Sequence, residues 1–114
     1  MPDNAAGLTL DIARNGSTVI VRCHGRLVAG VDHVLYDNIR QLIPDARRIV
    51  LDLTDLSRMD SMGLGALVRL YVSARAAGCS LELINLGKQV RLLLKTANLM
   101  SAFATVGEHG IKLG

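Results

Sequence analysis

The first part of the chain alternates apolar and polar positions. Residues 8–13 follow this two-residue period, and the β-branched run 18–22 comes after a short polar break. The break contains Asn15-Gly16, a dipeptide that tolerates the positive φ angles of a tight hairpin turn. The pattern therefore predicts that the fold opens with two antiparallel strands.

Helical spacing dominates three later segments. Apolar residues recur every three or four positions in residues 31–42, 62–77 and 90–97. The segments are followed by the stop signals Pro44, Gly78 and Asn98. The second segment is apolar around most of its circumference, with Arg69 and Ser73 on a thin polar side, so we expect its helix to be largely enclosed.

Strands are predicted between and after these helices. The continuous apolar run 49–53 is typical of a strand in the middle of a sheet, and residues 79–86 alternate. Residues 103–106 indicate a last short strand. The order β-β-α-β-α-β-α-β predicts an α/β sandwich, in which helices pack against a mixed sheet of four to five strands, with residues 1–114 forming one domain.

Composition and charge exclude several classes of function. The formal charge of +3 comes from 13 Lys and Arg against 10 Asp and Glu, the basic residues are scattered, and few aromatic side chains are available to stack bases. We therefore expect no direct contact with nucleic acid. The N-terminal residues lack the basic start and apolar block of a signal peptide, and the longest uncharged stretch, 96–107, is far shorter than the roughly 20 residues of a spanning helix. These features predict a cytoplasmic protein without membrane insertion.

No catalytic or metal-binding constellation is apparent. The spacing of His24, His33 and His109 does not suggest metal ligands, and Cys23 and Cys79 lie in apolar runs that predict buried, reduced thiols. The "GLG" of residues 63–65 lacks the length and the following Lys-Ser/Thr of a nucleotide-binding P-loop. We therefore predict neither an enzyme nor a cofactor.

A phosphoaspartate receiver is a rival interpretation, because Asp52 lies near the end of the buried strand at 49–53. A receiver needs an acidic cluster after its first strand, whereas the first strands here offer Arg22, His24 and Arg26. The opening hairpin also breaks strict strand-helix alternation. Both features weigh against a receiver.

The junction "MDSMGLG", residues 59–65, carries the most informative chemistry. Ser61 falls at the start of the second helix, where serine is a favoured N-cap that contributes about 1 kcal/mol. Leu64 stands where a capping box would have Glu or Gln. Gly63 and Gly65 each cost up to about 1 kcal/mol in a helix, so we expect the neighbouring strand or a partner to approach this backbone closely.

The same junction could act as a phosphorylation switch. It lies at the carboxyl end of a sheet strand, where the helix dipole favours added negative charge. A phosphate on Ser61 would add about −1.5 to −2 charge beside Asp60. An apolar surface predicted from Met59, Met62 and Leu64 would then become strongly anionic.

The segment "IVLDLTDLSRMDSMGLGALVRLYVSARAAG" resembles the central signature of the STAS domains of bacterial anti-sigma-factor antagonists and sulphate-transporter tails. The resemblance implies that an anti-sigma factor with serine kinase activity phosphorylates Ser61. A PP2C-type phosphatase would remove the phosphate and thereby reactivate the protein. The unphosphorylated form would bind the anti-sigma factor and thereby regulate transcription. The partner-binding residues would then be Arg58, Met59, Asp60, Met62, Gly63 and Leu64.

A second function remains open under the same resemblance. STAS-like domains also serve as scaffold or accessory modules in stress-signalling and lipid-transport complexes, without phosphorylation. The chain differs from the common antagonist pattern at Arg58, at Met62 and in "GRLVAG", which replaces the commoner "GELD". These differences bear on which partner is bound.

Overall fold

The computed structural model describes residues 7–99 and the backbone of residues 3–5. Its strands are β1 (Asp3–Ala5), β2 (Leu8–Asn15), β3 (Thr18–Leu27), β4 (Arg48–Met59) and β5 (Ser80–Ile84). Its helices are α1 (Asp32–Leu42), α2 (Ser61–Ala76) and α3 (Lys88–Thr96), and one turn of 3-10 helix (Ile43–Asp45) follows α1. The predicted strand at residues 103–106 lies outside the described residues.

The strands form one mixed sheet in the order β1-β2-β3-β4-β5. The pairs β1-β2 and β2-β3 are antiparallel, whereas β3-β4 and β4-β5 are parallel and are connected through α1 and α2. The predicted α/β class and mixed sheet are confirmed. Strand β1 was not predicted, because its three residues, "DNA", carry no apolar alternation.

The opening hairpin is confirmed, but its turn lies one residue later than predicted. Asn15 pairs with Thr18 as the last rung of the ladder, so Gly16 and Ser17 form the two-residue loop. Of these two residues, only Gly16 has a positive φ, +64°. This matches a primed turn that requires glycine at its first central position alone.

The core lies between one face of the sheet and the three helices. Side chains of β3 alternate in burial: Val19 and Val21 are fully buried, while Ile20 between them is 42% exposed. The buried strand residues form a single cluster with residues of all three helices, among them Leu35, Leu67 and Leu94. The opposite face of the sheet carries mainly charged and polar side chains, listed here in chain order: Asp11, Arg22, His24, Arg48, Asp52 and Glu82.

The helix ends agree with the stop signals. Gly78, with φ +73°, follows α2, and Asn98, with φ +62°, follows α3, both in the left-handed conformation. The predicted enclosure of α2 is only partly correct, because Met62 and Val72 are exposed on it. None of the described helices is long and apolar enough to span a bilayer.

Both cysteines are buried and unpaired, as predicted. Burial raises the pKa of the Cys23 thiol to about 12, and it also raises the pKa of Cys79. Deprotonated, reactive thiolates are therefore disfavoured at both positions.

Candidate functional site

The strand that leads to the candidate site is irregular in its second half. In the β3-β4 ladder, Asp52 pairs with Arg22 and Arg58 pairs with Arg26, so β4 takes six steps where β3 takes four. The register shifts fall between Arg22 and His24 and between Gly25 and Arg26, which corresponds to one extra β4 residue at each place. Such bulges bend a strand and redirect its side chains.

Asp60, the residue after β4, fixes the start of α2. One carboxylate oxygen, Oδ1, accepts hydrogen bonds from the backbone N–H groups of Met62 and Gly63, both at 3.0 Å. The other oxygen, Oδ2, accepts from the N–H of Ala29 at 2.9 Å, in the turn that follows β3. The capping role that the sequence suggested for Ser61 therefore belongs to Asp60, which also ties α2 to the end of β3.

The charge of Asp60 is stabilised by the same contacts. Hydrogen bonds from the N–H groups of Ala29, Gly63 and Met62 lower the pKa of Asp60, and the positive charge of Arg58 adds to the effect. The carboxylate is therefore ionised at neutral pH.

Ser61 is the first residue of α2 and is exposed. Its hydroxyl makes no hydrogen bond within the described part of the chain, because Asp60 already caps the helix. A nucleophilic oxygen at this position is accessible from solvent. A phosphate attached to it would lie at the positive end of the α2 dipole.

At Gly63, the end of β3 approaches the backbone of α2 closely. A Cβ on this residue would lie 2.1 Å from the carbonyl oxygen of Leu27, so the neighbouring strand end requires glycine here. A Cβ on Gly65 would meet only the guanidinium of Arg69, at 3.6 Å. The fold therefore explains Gly63 but not Gly65.

The predicted apolar surface around Ser61 is wrong in two of its three members. Met59 and Leu64 are 1% and 7% exposed and belong to the core, whereas Met62 is 50% exposed. The bulged strand turns Met59 inward, and the helical phase places Leu64 on the inner face of α2. Gly63 is also buried, so Arg58 and Met62 are the predicted contact residues that solvent reaches most freely, with Asp60 half-buried.

Gln89 of α3 is a site residue that the sequence analysis missed. Its side-chain Nε2 donates to the carbonyl oxygen of Met59 at 2.7 Å, and its Oε1 accepts from the N–H of Met59 at 2.8 Å. The β4-β5 ladder ends at the pair Asp52 and Ile84, so the end of β4 has no strand on this side. The amide of Gln89 occupies the place of a neighbouring strand, two residues before Ser61.

Asp52, the residue behind the receiver hypothesis, is held in a structural network. Its side chain is 8% exposed and accepts hydrogen bonds from the backbone and hydroxyl of Thr54, from the amide of Asn85 at 3.0 Å and from Arg22 at 3.4 Å. Burial alone would raise the pKa of Asp52, but the bonds from Thr54 and Asn85, with the charge of Arg22, outweigh it and lower the pKa. The carboxylate oxygens are thus already engaged.

The two histidines in the described part of the chain, His24 and His33, do not assemble a metal site. His24 lies between two carboxylates, with Nε2 2.7 Å from Asp11 and Nδ1 3.1 Å from Asp55, so the two acids face opposite edges of the ring. Within residues 7–99, no three His, Cys, Asp or Glu side chains converge as metal ligands.

Comparison with known proteins places this arrangement in a family. The family model for the STAS domain matches residues 9–109. The anti-sigma factor antagonist SpoIIAA in its unphosphorylated form superposes with a TM-score of 0.70 at 22% identity, covering 79% of this chain and 81% of that chain. The phosphorylated form of SpoIIAA, a Bacillus cell fate determinant, gives a TM-score of 0.68 at 21% identity, covering 82% and 86%.

Two further structures share the fold in different molecular contexts. An anti-sigma factor antagonist from Mycobacterium paratuberculosis superposes with a TM-score of 0.71 at 19% identity, covering 89% of this chain and 86% of that chain. The murine anion transporter Slc26a9 gives a TM-score of 0.69 at 18% identity, covering 82% of this chain but 16% of the transporter. At these identities the likeness establishes the shared fold.

Proposed function

The chain belongs to the STAS domain family, and from this premise we propose that it is an anti-sigma-factor antagonist controlled by phosphorylation of Ser61. The observation that carries the proposal is that Asp60, and not Ser61, caps the start of α2. Asp60 caps the helix and links it to Ala29, which leaves the exposed Ser61 hydroxyl without a structural role. A serine that the fold does not use is free to be modified.

The proposed switch acts through charge on a docking surface. In the unphosphorylated form, the partner contacts Ser61 together with its exposed neighbours Arg58 and Met62. Phosphorylation adds about −1.5 to −2 charge at the helix start, which the α2 dipole tolerates and a partner fitted to the neutral serine does not. This chain superposes about equally well on the unphosphorylated and the phosphorylated form of SpoIIAA, so both forms share its fold. This supports a switch that requires no refolding.

The proposed partner is an anti-sigma factor with serine kinase activity, and a PP2C-type phosphatase restores the binding form. This chain acts in the cytoplasm as the substrate and binding protein in that cycle. It has no catalytic role of its own in that cycle.

The test combines modification with binding. Incubation with a kinase-type anti-sigma factor and ATP should add about 80 Da at Ser61, located by peptide mass spectrometry. Ser61→Ala should keep binding and resist modification, whereas Ser61→Asp should lose affinity with little change in the melting temperature. Binding that survives Ser61→Asp, with no mass gain in the wild type, would instead identify a scaffold.

The scaffold alternative has one supporting observation. The fold of this chain also occurs as a minor part of a much longer transporter chain, the murine Slc26a9. A STAS domain can therefore belong to a larger assembly. The Ser61 variants distinguish this role from the switch.

A further inference from the structure

Two arginines lie side by side where β3 and β4 approach the acceptor serine. Arg26 and Arg58 are direct partners in the parallel ladder, so their backbones are about 4.8 Å apart. Both residues are exposed. The guanidinium of Arg26 extends over Gly7, in the turn before β2. We refer to Arg26 and Arg58 as the arginine pair.

The arginine pair has no ion-pair partner among residues 7–99, because the nearby carboxylates are engaged elsewhere. Asp60 senses the charge of Arg58, but both of its oxygens accept backbone hydrogen bonds. Asp55 contacts His24 at 3.1 Å, and Asp32 lies 3.9 Å from Arg69. Two like charges on paired strand positions repel each other, so a bound anion would be favourable here.

We propose that the arginine pair binds an acidic segment of the partner protein, an inference that rests on the function proposed for Ser61. Arginine matches carboxylates through its planar, forked set of donors, and charges of this kind select partners and steer their approach. Beside the neutral Ser61, this end of the sheet carries the two arginine charges against the single carboxylate of Asp60, so the local charge is net positive. The partner surface that fits it is therefore negatively charged.

The position of the arginine pair also explains how phosphorylation would end binding. Ser61 follows Arg58 by three residues, so their Cα atoms are at most about 11 Å apart. A phosphate on Ser61 adds close to two negative charges three residues from Arg58, a separation comparable to the Debye length of about 8 Å at physiological salt. It would act as an internal anion that neutralises the arginine pair and repels the acidic segment.

The experiment uses a hexaglutamate peptide as the probe. Titration of the isotopically labelled chain, followed by NMR of backbone amides and arginine Nε–H groups, should shift the signals of Arg26, Arg58 and residues 58–62. Each of Arg26→Gln and Arg58→Gln should weaken binding about fivefold at low salt. The matched control is Arg47→Gln, which removes an exposed arginine that precedes β4 at its other end and should leave the affinity unchanged.

Phosphoserine incorporated at position 61 should lower the affinity for the hexaglutamate peptide by more than either arginine variant does. Equal shifts at Arg47, or tighter binding of a hexathymidine oligonucleotide than of the peptide, would overturn the inference. A parallel assay with a kinase-type anti-sigma factor separates the two proposals. If Ser61 controls that complex while Arg26→Gln and Arg58→Gln leave it unchanged, the arginine inference fails and the proposed function stands.

Discussion

The two halves of β4 are built differently. Residues Arg48 to Asp52 pair regularly with β3 on one side and β5 on the other. Beyond Asp52, β5 is absent, the β3 ladder contains two register shifts, and side chains take over the support. Gln89 pairs with the backbone of Met59, and the hydroxyl of Ser57 donates to the carbonyl of Gly25 at 3.0 Å.

The first half of β4 supports the fold, whereas the second half positions Asp60 and Ser61. A ladder with strands on both sides distributes its support over many backbone hydrogen bonds, whereas the second half of β4 depends on a few side chains that single substitutions can remove. The second half leads directly to Asp60 and Ser61. Variants of the second half therefore test how Ser61 is held, while the first half keeps the fold intact.

The largest effect is expected for Gly63→Ala. The new Cβ would lie 2.1 Å from the carbonyl oxygen of Leu27, so either α2 or the end of β3 must move. Overpacking of this kind should lower the free energy of unfolding by about 3 kcal/mol, measured by urea denaturation.

Gly65→Ala is the matched control for this substitution. Its Cβ would meet only the tip of Arg69 at 3.6 Å, so the helix should gain up to about 1 kcal/mol from the better helix former. Equal destabilisation by the two variants would show that the contact between Leu27 and Gly63 is not what sets the start of α2.

A smaller effect is expected for Asp60→Ala. The change removes the cap of α2 and the link to Ala29, and it should cost about 2 kcal/mol of unfolding free energy. Ser61→Ala, one residue along, should cost close to nothing because its hydroxyl bonds to no described residue. If Ser61→Ala were the more destabilising of the two, the assignment of the cap to Asp60 would be wrong.

The pH dependence of stability isolates the charge of Asp60. Folding lowers the pKa of this carboxyl, so its contribution is fully present above the unfolded value of about 4 and is lost as the pH falls through the folded value. Asp60→Asn should keep one capping oxygen but lose this dependence. Between pH 7 and pH 3, the wild type should therefore lose more unfolding free energy than Asp60→Asn, since Asp52 contributes alike to both.

The contrast between the halves of β4 also decides what the sequence could predict. The regular half appears as the apolar run 49–53, and the predicted strand there is confirmed. In the bulged half the buried residues Leu53, Leu56 and Met59 come at every third position, a spacing that matches neither a regular strand nor the predicted end of the strand. Bulges depend on pairing with β3, so local periodicity does not reveal them.

The candidate site was likewise predicted only in part. The position of Ser61 at the start of a helix followed from the hydrophobic pattern, but both Asp60 and Ser61 are good N-caps, and only the geometry decides between them. The contact between Gln89 and Met59 joins residues 30 positions apart. One polar residue at the start of an amphipathic helix carries no local sign of such a contact.

The smallest effect, and the most local, is expected for Gln89→Ala. The variant removes both hydrogen bonds to Met59 and should lower the unfolding free energy by about 1 kcal/mol, because water can replace the lost partner at this half-open edge. Hydrogen exchange should report the change more sharply than global unfolding does. The amides of residues 59–63 should exchange faster, while those of residues 48–52 keep their protection because β3 and β5 still flank them.

Lys88→Ala, at the neighbouring exposed position of α3, is the control and should leave both segments unchanged. Uniform loss of protection along β4 would mean that its two halves open as one unit, and the position of Ser61 would then depend on the whole sheet and not on a single side chain of α3.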